Sequence, residues 1–448
     1  MELMSKNFRN RIPQQRTRLL QTPPPKIQST YRKTVLSNGV RVVSEEISTV
    51  RSVTLGVWID TGSRDEIEEN NGISHFLEHM VFKGTKHRGV KEIAQSIESV
   101  GGYLNAFTGK EHTCYYARVL DEYAELALDV LSDLVRFARF PEKDLDREKN
   151  VVIEELKNAE DDPDDIIHDY FEKTLFGRHP LGFPVIGTEK NLRSFSRSDL
   201  QSYVRHQYIP SKIVLAAAGN IRHDSLVALA ARYLGTLDPR SKNGWAQRKG
   251  PRAIKSEKRE FKKPIQQAHV CLGTQAFSIK SKQRYPLLVL NTLLGDGMSS
   301  RLFQNIREKY GFAYSVYSYA NMMSDAGVFG AYIGTDKTHV NASIELILRE
   351  LEKIRKKPVP KTELDRTKAQ LKGSMMLGLE SIPNRMMRLG TSELYFGELN
   401  SIDFIVQQIE VVSQDDIQAV AHELFREDNL STVIIQPESQ SSDLTTLQ

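Results

Sequence analysis

Apolar residues along the first half of the chain recur in two periods, and the two follow one another in a definite order. "VVSEE" (42–46) and "RSVTLGVWI" (51–59) read as strands, preceded by a hairpin turn at "SNG" (37–39). "GGYLNAFT" (101–108) and "HTCYYARVL" (112–120) make a second strand pair around Gly109. The spacing then lengthens to a helical one over residues 122–138 and 145–158. "KIVLAAAG" (212–219) returns to strand, and "DSLVALAARYLGTL" (224–237) closes the half with a helix.

The second half follows a similar order. "QQAHVCLGT" (266–274) reads as a strand and two helical stretches fill 284–310; "YSVYSYA" (314–320) and "GVFGAYIGT" (327–335) are strands, followed by a helix over 340–356. One stretch makes the likeness specific: "PEKDLDREK" (141–149) matches "PKTELDRTK" (360–368), and each opens a helix. The element order and this match together predict an internal duplication. The expected fold class is α+β: two homologous domains, each a mainly antiparallel sheet with helices packed on one face. The expected boundaries are a tail at 1–33, a first domain at 34–237, a linker at 238–263, a second domain at 264–440 and a tail at 441–448.

Composition narrows the picture. The 448 residues suit two domains, 40% are hydrophobic and 26% charged, and no apolar run approaches the ~18 residues of a membrane span. A net charge of +4 points to neither a nucleic-acid nor a membrane partner. Two cysteines, Cys114 and Cys271, are too few for a disulfide framework and suit a reducing, cytoplasmic compartment. Residues 1–33 hold eight Lys/Arg against one acid, with "TPPP" at 22–25. They read as a disordered basic tail, or as a transit peptide to an organelle matrix. The linker holds ten Lys/Arg against three acids.

The chemistry gathers in "HFLEHMVFKGT" (75–85). On a helix His75 and His79 share one face a turn apart, and imidazole nitrogens at that spacing suit zinc. Glu78 lies beside them without being the obvious third ligand, and is placed to take a proton from a metal-activated water. The bland alternative is a surface helix with polar residues. Against it, Phe76, Leu77, Met80, Val81 and Phe82 make the segment apolar nearly all round, so its polar groups need partners. In 146–158, Glu148, Val151, Val152 and Glu155 form one stripe expected to face inward, with Glu154 about 100° away. Glu155 is the expected third ligand and Glu148 a neighbour that orients the site; exposed acids in salt bridges are the alternative. The second half has no His-x-x-Glu-His, and the offset sets Thr367 against Glu148 and Ser374 against Glu155. The metal chemistry belongs to the first half.

"GISHFLEHMVFKGT" (72–85), "GGYLNAFTGKEHTCYY" (101–116), "REKNVVIEEL" (147–156) and "SSRLFQNIREKYGFAYSVYS" (299–318) together resemble the pitrilysin or insulinase family of inverted zinc peptidases. The similarity is greatest to bacterial relatives of the mitochondrial processing peptidase beta subunit. The resemblance implies one zinc per chain held by His75, His79 and Glu155, with Glu78 as general base and Glu148 supporting activity. It implies that Arg307 and Tyr314 reach from the second half toward the scissile peptide and stabilise the oxyanion. It also implies that Asn105 and Ala106 on an edge strand bind an extended peptide, with Phe107 lining a side-chain pocket. The expected activity is endopeptidase cleavage of unfolded or presequence-like peptides within a clamshell of four domains. The chain would supply half of it, as a homodimer or with a homologous companion. A non-catalytic assembly subunit of the same fold is the alternative. "EDDPDD" (160–165) reads either as a solvated loop or as an acidic cluster favouring basic substrates, and His112 as a satisfied core histidine.

Overall fold

The computed structural model describes residues 30–238, 248–253 and 255–438. Most of the basic tail, the middle of the linker and the C-terminal tail lie outside the described residues. The first half runs β1 (Thr30–Val35), β2 (Arg41–Glu46), β3 (Ser52–Ile59), α1 (Ile73–Val81), α2 (Val90–Glu98), β4 (Tyr103–Thr108), β5 (Thr113–Leu120) and α3 (Ala124–Phe137). It continues through α4 (Glu142–Asp161), α5 (Pro163–Phe176), α6 (Glu189–Ser194), α7 (Arg197–Gln207), β6 (Ile213–Gly219) and α8 (His223–Leu234). The second half holds β7 (Lys258–Lys263), β8 (Ala268–Ala276), α9 (Arg284–Gly295), β9 (Ala313–Met322), β10 (Gly327–Thr335) and α10 (Val340–Lys356). It ends with α11 (Lys361–Gly378), α12 (Ile382–Phe396), α13 (Ile402–Glu410), α14 (Gln414–Leu424) and β11 (Ser431–Pro437).

The architecture is α+β, as expected, with one sheet per half. The first sheet has the order β1-β2-β6-β3-β5-β4 and the second β7-β11-β8-β10-β9. Without β1 the two orders match strand for strand. The match extends to direction, since β2 pairs with β6 and β7 with β11 in parallel while the other neighbours are antiparallel. In the first half α1 packs on β4 and α4; in the second, α9 packs on β9 and α11. α9 carries leucines and no histidine.

Two strands lie where the sequence reads as tail or linker. β1 starts at Thr30, and its residues through Lys33 pair with β2. β7 occupies the end of the presumed linker and pairs with β11. Both are edge strands, "TYRKTV" and "KREFKK", whose charged residues discourage pairing with other chains and hide the apolar alternation of a strand.

Each sheet also buries the face its own helices leave open. β6 is buried along its whole length: Ile213, Leu215 and Ala217 face the helices of the first half, whereas Val214, Ala216 and Ala218 face the other way. That second face, with Val43, Trp58 and Cys114, is covered by Ile382, Met386 and Leu389 of α12, a helix from the second half. Reciprocally, Ile166, Ile167, Phe171 and Phe176 of α5 cover Cys271, Val328, Tyr332, Val433 and Ile435 of the second sheet. The offset that relates "PEKDLDREK" to "PKTELDRTK" carries α5 onto α12, so the halves exchange equivalent helices. Polar contacts reinforce the exchange: Arg385 of α12 pairs with the buried Glu45 of β2 at 2.6 Å, and His269 of β8 lies 2.8 Å from the Asp164 carboxylate at the start of α5.

The fit of α12 is close. A Cβ on Gly390 would lie 2.2 Å from the Trp58 ring, and one on Gly56 would lie 2.5 Å from the Met386 sulfur. Gly390→Ala should therefore destabilise the chain although alanine favours a helix. The propensity gain is about 1 kcal/mol, and forcing a buried indole to move costs about 1–3 kcal/mol. Denaturant unfolding of the variant checks this; a stabilised Gly390→Ala chain would contradict the packing described.

Candidate metal centre

α1 begins at Gly72 and buries Ile73, Phe76, Leu77, Met80 and Val81 in the first-half core. Its remaining face turns His75 and His79 toward α4, their rings 4.9 Å apart. α4 presents Glu148 and Glu155, seven residues and two turns apart. Glu155 reaches both histidines: Oε1 lies 3.6 Å from His75 Nε2 and Oε2 lies 3.3 Å from His79 Nε2. One donor atom from each of His75, His79 and Glu155 lies within 4.8 Å of the others. Among the described residues no other three His, Cys, Asp or Glu donors converge in this way.

Glu148 acts on the other side of His79, accepting a hydrogen bond from Nδ1 at 3.0 Å. That bond fixes the ring with Nε2 facing Glu155, an arrangement common behind metal-ligating histidines. Lys83 holds the other Glu148 oxygen at 2.7 Å. The sequence reading missed Lys83, although it stands four residues, one turn, beyond His79. It also missed Thr108, whose hydroxyl donates to Glu78 Oε2 at 2.6 Å. The stripe on α4 is narrower than expected: Glu148 and Val152 are buried, but Val151 is 47% exposed. The inward line runs through Leu145, Glu148, Val152 and Leu156, with Glu155 half exposed at its edge.

The electrostatics suit a cation. Burial lowers the His75 pKa to about 4, with His79 adding to the effect and Glu155 opposing it, so the ring is neutral with a lone pair to give. Burial opposes charge on His79 too, but its bonds to Glu148 and Glu155 outweigh burial and raise it to about 9. Burial disfavours charge on Glu148, yet the bonds from His79 and Lys83 prevail and hold its pKa below the usual range. Glu155 is lowered chiefly by its bond with His79. Without a metal the two carboxylates draw a proton onto His79; a divalent ion between the donors answers the same field. His75 turns Nε2 toward Glu155, and its buried Nδ1 has no hydrogen-bond partner among the described residues. Two imidazoles and a carboxylate are a donor set that fits zinc.

Glu78 lies outside the trio on the same helix. Burial raises its pKa, opposed by the Thr108 hydroxyl and His79. Thr108 ends β4, an edge strand of the first sheet that lies beside α1. On β4 the Ala106 N–H is held by the side-chain oxygen of Asn105 at 2.8 Å. Phe107 turns to the α12 side, its ring 5.6 Å from Trp58. His112 sits in the same aromatic group, 5.2 Å from Trp58, and burial lowers its pKa to about 4. It is not the satisfied histidine expected, because its buried Nδ1 has no partner among the described residues. Arg307 and Tyr314 stand together, the guanidinium 5.3 Å from the ring, and Tyr314 is 79% exposed. Among the described residues no hydrogen bond or ion pair joins them to the histidines.

Residues 41–189 match the family model described as Insulinase (Peptidase family M16), and residues 194–371 match Peptidase M16 inactive domain. An uncharacterized zinc protease of Bacillus subtilis is 45% identical over 391 residues, covering 87% of this chain and 95% of the relative. The chain belongs to the insulinase family, M16. An uncharacterized zinc protease of Streptomyces coelicolor is 41% identical over 421 residues, covering 93% and 92% of the two chains. The M16 fold is matched by the crystal structure of a protease from Helicobacter pylori, with a TM-score of 0.86 at 23% identity, covering 91% of this chain and all of that one. A Pseudomonas fluorescens structure titled as a peptidase M16 inactive domain gives 0.85 at 21% identity, covering 91% and 98%. Within this chain the M16 peptidase match spans α1, β4 and α4, and the inactive-domain match includes the second sheet's histidine-free α9. Among the described residues no helix is long and apolar enough to cross a membrane.

The α4 geometry separates two adjacent acids. Glu155→Gln should weaken zinc binding about 10-fold or more, whereas Glu154→Gln, which loses only an exposed pair with Lys157, should leave it unchanged. Chelator competition checks this, and equal losses in the two variants would remove Glu155 from the ligand set.

Proposed function

We propose that the chain is a zinc-dependent endopeptidase that cleaves unfolded peptides, presequence-like segments among them. The observation that carries the reading is the convergence of His75, His79 and Glu155 beside a half-buried carboxylate, Glu78. This is the inverted His-x-x-Glu-His arrangement, which allies the chain with processing-peptidase-like members of the family. Zinc, when bound, acidifies a water and polarises the carbonyl under attack. Glu78 serves as the base: burial raises its pKa, and Thr108 engages one oxygen while the other takes the proton. It then hands that proton to the departing amine. Glu148 keeps His79 in the tautomer that ligation requires.

The substrate lies extended along β4. An incoming strand replaces the bond by which Asn105 holds the Ala106 N–H, and Phe107 lines a side-chain pocket on the α12 side. The acids after α4 support a preference for basic peptides. Asp162 caps α5 rather than lying in an open loop, and Asp165 and Asp169 follow along that helix, with Glu172 beyond them paired with Lys110 at 2.9 Å. Burial raises the Asp169 pKa, with Glu172 and Asp165 adding to it and Lys110 opposing. Arg307 and Tyr314 supply the second half's share, binding the carbonyl as it becomes an oxyanion. The free, buried cysteines fit a cytoplasmic setting.

Glu78→Gln should keep its zinc and lose at least about 10²–10⁴-fold in kcat on an unfolded basic peptide. Near-normal turnover in the metal-loaded variant would refute the base assignment, and equal turnover of basic and neutral peptides by the wild type would remove the charge preference. Tyr314→Phe should bind zinc normally but cleave about 10²–10³-fold more slowly, the usual cost of one oxyanion donor. An unchanged rate would leave the second half without its proposed catalytic role.

A further inference from the structure

Glu66 lies in the loop between β3 and α1 and is 2% exposed. Among the described residues it has no ion pair with any Lys, Arg or His. Its partners are instead the start of α1. Oε2 accepts the backbone N–H of Gly72 at 2.8 Å and the side-chain amide of Asn71 at 3.0 Å, while Oε1 accepts the N–H of Ser74 at 2.8 Å. Gly72 is the N-cap of α1 and has no side chain to cap it. Glu66 therefore caps the helix from outside, its charge at the positive end of the helix dipole.

The rest of this contact is backbone and hydroxyl. Gly72 sits at φ +98°, and a Cβ there would lie 2.7 Å from the Cα of Gly187, so no side chain can replace the carboxylate from within the helix. Ser74 Oγ meets the buried Tyr203 hydroxyl at 2.7 Å, and that hydroxyl meets Thr61 at 3.2 Å. Beside the first turn lies a cleft of about 400 Å³ lined in part by Glu69, Asn70, Ile73, Phe195, Tyr203 and His206. On that side the first turn borders a cleft, so the hydrogen bonds to Glu66 and Tyr203 add to the close backbone approach at Gly187 in holding it.

His75 follows Ser74 directly and His79 comes one turn later, while Glu155 stands on a separate helix. A displacement of the start of α1 thus moves two ligands relative to the third, and sites of this kind need placement to within about 0.5 Å. We propose that Glu66 is a positioning residue for the zinc-binding pair: its carboxylate fixes the start of α1 and so the distance from His75 and His79 to Glu155. The inference rests on the metal centre proposed above. A carboxylate is needed because its two oxygens receive three donors. Glutamine keeps one acceptor, and its NH₂ group faces either the Ser74 N–H or the Gly72 N–H and Asn71 amide.

The test is zinc affinity of the full chain, stripped of metal and titrated against a chelator, together with the visible spectrum after loading with Co²⁺. Glu66→Gln should bind zinc about 10-fold or more weakly and shift the cobalt bands. Glu393→Gln is the comparison: it loses a buried carboxylate paired with Lys33 and Arg41 on the opposite face of the first sheet. It should melt at a lower temperature yet match the wild type in affinity and spectrum. If Glu66→Gln does not fold, Glu66→Asp, one methylene shorter, carries the same expectation. Tight wild-type binding matched by the Glu66 variant overturns this proposal alone, as does an equal loss in Glu393→Gln. A wild-type chain without affinity for zinc overturns the metal centre and the proposal with it.

Discussion

Each of the two sheets is apolar on both faces, whereas the helices of its own half cover only one. Burying the second face of the first sheet, with Trp58 at its centre, requires α12 from the second half, and the second sheet likewise requires α5 from the first. This mutual cover makes the duplicated chain a single folding unit. A first half cut off at residue 237 would leave Val43, Trp58, Cys114 and Val214 bare, and a core missing one wall is not stable. The junction is reinforced where the β4–β5 turn meets the second half: buried Glu111 pairs with Arg64 at 2.6 Å and accepts the Ser324 N–H at 2.8 Å.

The metal centre depends on that frame. α1 is held on its apolar side by the first-half core, at its start by Glu66, and along its histidine face by α4. α5 follows α4 after a single residue, Asp162, so the helix that carries Glu148 and Glu155 leads directly into the helix that docks on the second sheet. The exchange that stabilises the fold thereby also sets the position of Glu155, the proposed third ligand. Electrostatics then assign roles within one short stretch of chain. Burial keeps His75 neutral, Glu148 orients His79, and burial raises the pKa of Glu78, the proposed base beside them.

Much of this was legible in the sequence because the informative contacts are local. His75, Glu78 and His79 lie within one helix, and the apolar flanks of that helix show that it is buried. Glu148 and Glu155 lie near one face of a second helix, though Val151 is exposed and the buried line runs through Leu145, Glu148, Val152 and Leu156. The duplication was visible in one nine-residue match. What was not legible depends on distant partners. Periodicity shows that α12 has an apolar side without showing that the side meets Trp58, more than 300 residues away. The acidic start of α5 reads as a loop until Asp162 is seen capping the helix. β1 and β7 are charged edges whose pairing comes from their neighbours. Arg307 and Tyr314 entered only through a resemblance, since nothing in their own spacing distinguishes a substrate contact from a solvated helix charge beside an exposed ring.

The central claim is that one zinc ion is held by His75, His79 and Glu155 and by no sulfur ligand. X-ray absorption at the zinc edge, on the full chain loaded with one equivalent of metal, tests it most directly. The account predicts a first shell of nitrogen and oxygen only, near 2.0–2.1 Å, with outer-shell scattering from two imidazole rings. A sulfur shell at about 2.3 Å, or a spectrum with a single imidazole, would contradict it.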